Sequence, residues 1–231
     1  MSIDLTSSTF VAEPALAIRT PIDLASRFGD IPLARIRFSP PPGLATEADV
    51  LEIHAREKRL CELVEGTLIE KTMGTYESLI AIRLATALTN YFDANQPRIG
   101  FVLGADGMLR LNPDLIRIPD VSVILRQRVR PGAFPKRGVA KIVPNLAVEV
   151  ISEGNTVAEM ERKLDEYFGS GVQEVWYVYP VERQIYRYVA RQQVQIWTDV
   201  DEIANIEILP NFRCPIAPLL LHPAEEFGVD G

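Results

Sequence analysis

The stretch that most constrains the fold runs from residue 146 to residue 179. It opens with LAVEVI (146–151) and closes with VWYVY (175–179), two runs of strand length rich in β-branched and aromatic residues. Between them Thr156 and Glu159 have capping-box spacing, and Val157, Met160, Leu164, Tyr167 and Phe168 recur at helical intervals. Gly169, Ser170 and Gly171 then supply a stop. Strand, helix and strand joined by short loops form a crossover, which ties two parallel strands into one sheet with a right-handed turn. The chain is therefore expected to be α/β.

Two acids stand out against this pattern. Asp120 opens the apolar run VSVIL (121–125), and Glu149 sits inside LAVEVI. A carboxylate within a β-branched run costs desolvation energy unless something pairs with it, and a cation is the obvious partner. Two carboxylates converging on one point suit Mg²⁺ or Mn²⁺, hard cations with oxygen ligands that keep several waters. Lys163, at the rim of the helical stripe beside Tyr167, can run its stem over the core and bring its ammonium to such a site. Together these residues suit metal-assisted phosphodiester hydrolysis. Each also has a plainer reading. Asp120 can begin a strand after Pro119, Glu149 can face solvent on an edge, and Lys163 can be a helix-surface lysine.

The rest of the chain builds around this core. Residues 1–44, with Pro40, Pro41 and Pro42, read as an extension lying on the surface or partly disordered. Residues 45–231 read as one domain. Thr46 caps a short helix to about residue 56, with Val50, Leu51 and His54 on one face. Residues 60–64 and 67–72 form a hairpin around Glu65 and Gly66. A longer helix is expected from a Thr75 cap to about residue 95, with Ile80, Ala81, Leu84, Leu88 and Tyr91 on one stripe. Glu77 falls on that stripe, either as a first-turn acid favoured by the helix dipole or as an auxiliary carboxylate near the metal. Strands are expected at 99–103 and 108–111, around a turn at Asp106 and Gly107. Further strands are expected at 184–189 and 193–197, followed by an irregular C-terminal arm.

Charge sets further bounds. The net charge of −7 argues against a protein that coats DNA through a generally basic surface. Yet residues 126–141 carry Arg126, Arg128, Arg130, Lys136, Arg137 and Lys141 and no acid. This is either a solvated loop or a phosphate-contacting loop beside the site. Cys61 and Cys214 are far apart and in no CxxC pattern, which suits a reducing cytoplasm and gives no zinc site. His54 and His222 are isolated. The beginning of the chain, with Asp4 and no basic-then-apolar stretch, predicts no secretory leader, and no apolar run approaches membrane-spanning length.

With those residues in place, the chain resembles the PD-(D/E)XK nuclease superfamily, and more closely its Uma-two restriction endonuclease family. The carriers are ELVEG (62–66), MGTYES (73–78), IPDV (118–121), LAVEV (146–150), ERKL (161–164) with Tyr167, and GVQEVW (171–176). The resemblance spans roughly residues 46–189. It implies a restriction-endonuclease-like α/β/α core with a mixed central sheet, dependence on Mg²⁺ or Mn²⁺, a nucleic-acid substrate, DNA above RNA, and a cytoplasmic homodimer. It also implies that Asp120 and Glu149, with the Val150 carbonyl, hold the metal. Lys163 would assist the attacking water, and Glu77 would be the helix carboxylate. The superfamily pattern puts lysine two residues after the second acid, where this chain has Ile151. By the resemblance, that lysine has moved to the following helix. The competing class is a non-catalytic binding or assembly module on a nuclease scaffold.

Overall fold

The computed structural model describes residues 20–136 and 138–229. Its centre is a six-stranded sheet of β3 (Gly100–Leu103), β6 (Val121–Leu125), β7 (Leu146–Val150), β8 (Glu174–Tyr179), β9 (Gln184–Ala190) and β10 (Gln193–Thr198), ordered β10-β9-β8-β7-β6-β3. β7 and β8 are parallel, joined by α4 (Val157–Gly169), and the other neighbours are antiparallel. The crossover and the mixed sheet are thus as expected from the sequence.

The two faces of this sheet follow from period-2 alternation. Val121, Val123 and Leu125 of β6 and Leu146, Val148 and Val150 of β7 pack with Ile80, Ala81, Leu84 and Leu88 of α3 (Thr75–Ala94). Ile124 and Ala147 point to the other face, with Met160, Leu164 and Tyr167 of α4. The C-terminal arm, through Ile216, Leu219 and Leu220, closes the α3 side. Among the described residues no helix is long and apolar enough to cross a membrane.

A second sheet, ordered β2-β1-β5-β4, holds β1 (Cys61–Val64), β2 (Thr67–Glu70), β4 (Leu109–Asn112) and β5 (Leu115–Arg117). One of its faces, with Val64, Ile69, Leu109 and Leu115, joins the α4 side of the core. The other, with Cys61, Leu63, Leu68 and Ile116, carries Val50 and Ile53 of α2 (Glu47–Glu57). Strands β3 and β4 are therefore not hairpin partners across Asp106 and Gly107. They belong to different sheets, β3 beside β6 and β4 beside β5. Other local expectations also shift. Gly74, not Thr75, is the N-cap of α3. Val157 is 79% exposed, on the face of the first turn of α4 away from the buried Glu159 and Met160.

The proline-containing segment differs most from expectation. Residues 1–19 lie outside the described residues, but from residue 20 onward the chain is built into the core. α1 (Pro21–Arg27) buries Leu24 and Ala25, and Phe28, Ile31 and Ile36 follow them into the α4-side core. Gly29, at φ +87°, lies so close to α4 that a Cβ there would be 2.3 Å from the Glu159 nitrogen. Thr156 Oγ1 donates to the Gly29 carbonyl, and Arg35 forms a buried two-pronged pair with Glu159 at 2.8 and 2.9 Å. That pair, not the capping box, is the main engagement of the Glu159 side chain. Replacing Phe28 with alanine should cost about 3–5 kcal/mol, the range for deleting a buried phenylalanine. Urea unfolding would measure it, and a loss below about 0.5 kcal/mol, the size of a surface change, would return the segment to the surface.

Candidate active site

The register of β6 and β7 aligns Val121 with Val148, so continuing it by one residue places Asp120 across from Glu149. Residues directly opposite in an antiparallel ladder share a face. Both acids therefore point to the α4 side, and both are buried, 5% and 4% exposed. Alternation in the smaller sheet sends Glu62 of β1 and Arg117 of β5 toward the same layer, while their neighbours Leu63 and Ile116 face α2. From α4 come Lys163 and Tyr167, four residues apart and so on one face. Lys71 arrives from the residue after β2, its backbone N–H held by the Leu60 carbonyl at 2.9 Å.

The contacts link these groups pairwise. Asp120 Oδ1 lies 2.7 Å from Lys71 Nζ, and Asp120 Oδ2 accepts from the Val150 N–H at 2.7 Å. Lys71 also donates to the Ile118 carbonyl. Glu149 Oε1 accepts from Lys163 Nζ at 3.1 Å and from the Tyr167 hydroxyl at 2.5 Å. Lys163 Nζ is 3.8 Å from Glu62 Oε2. Glu62 in turn accepts from the Ile118 N–H at 3.0 Å and pairs with Arg117, whose guanidinium also holds Glu166.

Burial pushes the Glu149 carboxyl up from its ordinary pKa, with the charges of Lys163 and Lys71 working against that rise and those of Asp120 and Glu62 adding to it. Glu62 goes the other way. Against the cost of its burial, Lys163, Arg117 and Lys71 hold it well below the usual carboxylate range. Burial likewise disfavours the Lys163 ammonium, but Glu149 and Glu62 hold its pKa above the ordinary lysine value. Burial, and then the Glu149 charge, raise the Tyr167 hydroxyl, so it serves as a neutral donor.

The structure thus brings Asp120, Glu149 and Lys163 together. Lys163 is more deeply placed than a rim residue, at 4% exposed. It also brings in Lys71 and Glu62, which the sequence reading did not single out as site residues. Glu62 carried the same signal as Glu149, an acid inside a short apolar strand; Lys71 carried none. Glu77 lies at the start of α3, in the layer on the far side of the sheet. It lines a cavity of about 800 Å³ that also takes in Thr72, Gly74, Ile151, Ser152 and Glu153. This cleft begins at the residues immediately after Lys71 and Val150, but Asp120, Glu149, Lys71 and Lys163 are not among its lining residues.

The basic loop is elsewhere. β6 leaves Asp120 behind and ends at Leu125, and β7 starts at Leu146 before reaching Glu149, so their connection lies at the opposite end of the ladder. Arg128 donates to the carbonyls of Val143, Pro144 and Gly171 at 3.2, 3.0 and 2.8 Å, fastening that far end. Arg126 and Arg130 follow, exposed; the loop then runs to the smaller sheet, where Ala140 bridges Leu109, and Lys136 and Lys141 are exposed along it, while Arg137 lies outside the described residues. The expected position beside the acids is not the one the loop takes.

The donor set fits a small hard cation. Asp120 and Glu149 offer carboxylate oxygens on adjacent strands, while the Val150 group seen at this point is its N–H, donated to Asp120. Mg²⁺ and Mn²⁺ need no all-protein cage, since one or two carboxylates plus waters and substrate oxygens suffice for Mg²⁺. Among the described residues no group of three or more His, Cys, Asp or Glu side chains is gathered as a ready-made cage.

The fold, a mixed sheet with helices on both faces, is that of a restriction-endonuclease-like protein. Residues 47–217 match the family model Uma2, described as "Putative restriction endonuclease", and the chain belongs to that family. Its fold is similar to that of a solved structure from Anabaena variabilis ATCC 29413, described as "a putative nuclease belonging to DUF820". That likeness has a TM-score of 0.59 and 18% identity, and covers 71% of this chain and 90% of the other. No curated protein matches the chain.

The buried charges make a pH prediction. A carboxyl whose folded pKa lies below its unfolded value adds stability above the unfolded pKa and loses it as pH falls through the folded one. Glu62 is such a group, so wild-type stability should fall with acidification below about pH 5 partly on its account. Glu62→Gln should cost about 3–5 kcal/mol at pH 7, because Arg117 and Lys163 lose a buried partner. It should also flatten the acid limb. Urea unfolding at pH 7 and across the acid range would read both, and an unchanged acid limb would mean that Glu62 is not held ionised.

Proposed function

We propose that the protein is an endonuclease hydrolysing phosphodiester bonds, of DNA in the first instance, with Mg²⁺ or Mn²⁺ held by Asp120 and Glu149. The observation that carries this reading is the placement of those two acids side by side on one sheet face, with Lys163 of the following helix on Glu149. Bound there, a divalent cation supplies a more acidic water and charge stabilisation at the phosphoryl oxygens. Asp120 is oriented by the Val150 N–H, and Glu149 by Tyr167 and Lys163, so both carboxylates are fixed before anything binds. Lys163, an ammonium shared between Glu149 and Glu62, enters as a hydrogen-bond donor and positive charge near the attacking water.

The cleft also supports a polyanionic substrate once a cation is present. The first turns of α3 and α4 border it, and free N–H groups there favour phosphate. Glu77, Glu153 and Glu182 line it too and oppose a bare phosphate chain. Glu77 is accordingly an auxiliary carboxylate at the cleft. For the exposed basic residues Arg126, Arg130, Lys136 and Lys141 the same reading leaves contacts to duplex flanking the site. Cutting both strands calls for two sites, which a cytoplasmic homodimer would provide.

A second reading has its own observation. Every acid of the cluster already has a cation against it, so the arrangement is electrostatically complete as a scaffold for a non-catalytic binding module. Plasmid cleavage and Mn²⁺ titration separate the two. Asp120→Ala should lose metal binding and cleavage together. Lys163→Met should keep the metal while cleavage falls about 10²–10⁴-fold, the usual worth of acid–base assistance. Full cleavage by the Lys163 variant would remove that residue from the chemistry. No metal binding and no cleavage of DNA or RNA by the wild type would favour the binding module.

A further inference from the structure

Lys71 is the residue of this cluster that neither the family motifs nor the sequence pattern assigns. Its side chain is 8% exposed, and its ammonium lies 2.7 Å from Asp120 Oδ1. Its charge also reaches Glu62, which it helps to hold ionised, and Glu149, where it works against the rise that burial causes. It enters from the open end of the β1–β2 hairpin, and the next residues, Thr72 to Gly74, line the cleft. It is thus the buried residue from which the chain passes directly to the cleft wall.

The two lysines are held differently. Lys163 is clamped on α4 between Glu149 and Glu62. Lys71 has one carboxylate, Asp120, and one neutral acceptor, the Ile118 carbonyl. An ammonium displaced from Asp120 keeps that carbonyl as a partner. Asp120 Oδ2 accepts the Val150 N–H, while the charged contact on Oδ1 is Lys71, so a cation approaching Asp120 meets that ammonium.

We propose that Lys71 is a built-in occupant of the cation position at Asp120. It neutralises the buried carboxylate while the site is empty, and a divalent cation must displace it to bind. This rests on the metal-dependent reading above and adds to it a residue that sets metal affinity. Removing the Lys71 charge should then tighten metal binding. A ligand-assisting lysine would do the opposite, since its loss weakens binding or leaves it unchanged.

The test is calorimetric titration of Mn²⁺ into the full chain at neutral pH, for wild type, Lys71→Met and Asp120→Ala. Lys71→Met should bind about 10–100-fold more tightly than wild type, the factor given by losing one competing charge-assisted contact. It should also be less stable than wild type without metal and gain more from Mn²⁺ in thermal unfolding, because a ligand of the folded state stabilises in proportion to its affinity. Lys71→Gln, which keeps a donor for Asp120 without the charge, carries the same expectation if the methionine variant does not fold. Equal or weaker Mn²⁺ binding by the Lys71 variants, with binding lost in Asp120→Ala, would overturn this role and leave the metal site intact. Absence of Mn²⁺ binding in wild type and Lys71 variants alike would overturn both.

Discussion

The structure depends on burying acids and bases together in the layer between the central sheet and α4. Taking a carboxylate or an ammonium out of water costs several kcal/mol per ion even after the protein relaxes. Glu62, Asp120 and Glu149 are each 5% exposed or less, and so are Arg117 and Lys163. Such a cluster is tolerable only if every charge meets an opposite one and the remaining lone pairs meet N–H or O–H groups. Here the Ile118 and Val150 N–H groups and the Tyr167 hydroxyl do that work. The partners come from both sheets and from α4, so the three elements cannot shift against one another without stranding a charge. This is a constraint on position more than a source of stability, since ion pairs of this kind seldom exceed well-packed apolar side chains in net worth.

The same constraint explains why the N-terminal segment is tied in. α4 must hold Lys163 and Tyr167 over Glu149, and its first turn is fixed from outside the sheet. Arg35 on Glu159, Gly29 against the helix backbone, and Thr156 on the Gly29 carbonyl set that end of the helix. A proline-containing stretch far from the acids in sequence thus bears on how the candidate site is presented.

Much of this was legible in the sequence where residues repeat with a period. The crossover and both acid-bearing strands could be read from periodicity and from acids in apolar runs, and Lys163 from its place on an amphipathic helix. What could not be read was contact between distant segments. Lys71 follows Glu70 at a strand end among other charged residues, and nothing local separates it from a surface lysine. Prolines gave residues 20–44 the look of a loop and outweighed the helical spacing of Leu24, Phe28 and Ile31, at i, i+4 and i+7. Residues 126–141 misled in the opposite way. They lie between Asp120 and Glu149 in sequence, but antiparallel strands are joined at the end away from their opposed termini, so sequence proximity became spatial distance. Family membership and fold then agree with a nuclease scaffold.

The central claim is that Asp120 and Glu149 together form the metal site. Anomalous diffraction from crystals grown with Mn²⁺ tests it most directly. The account expects one strong peak about 2.1 Å from an oxygen of each carboxylate, close to the distance that a small octahedral cation such as Mg²⁺ keeps. A peak coordinated elsewhere, by Glu77 and Glu153 in the cleft for instance, with both buried acids still on their lysines, would contradict it.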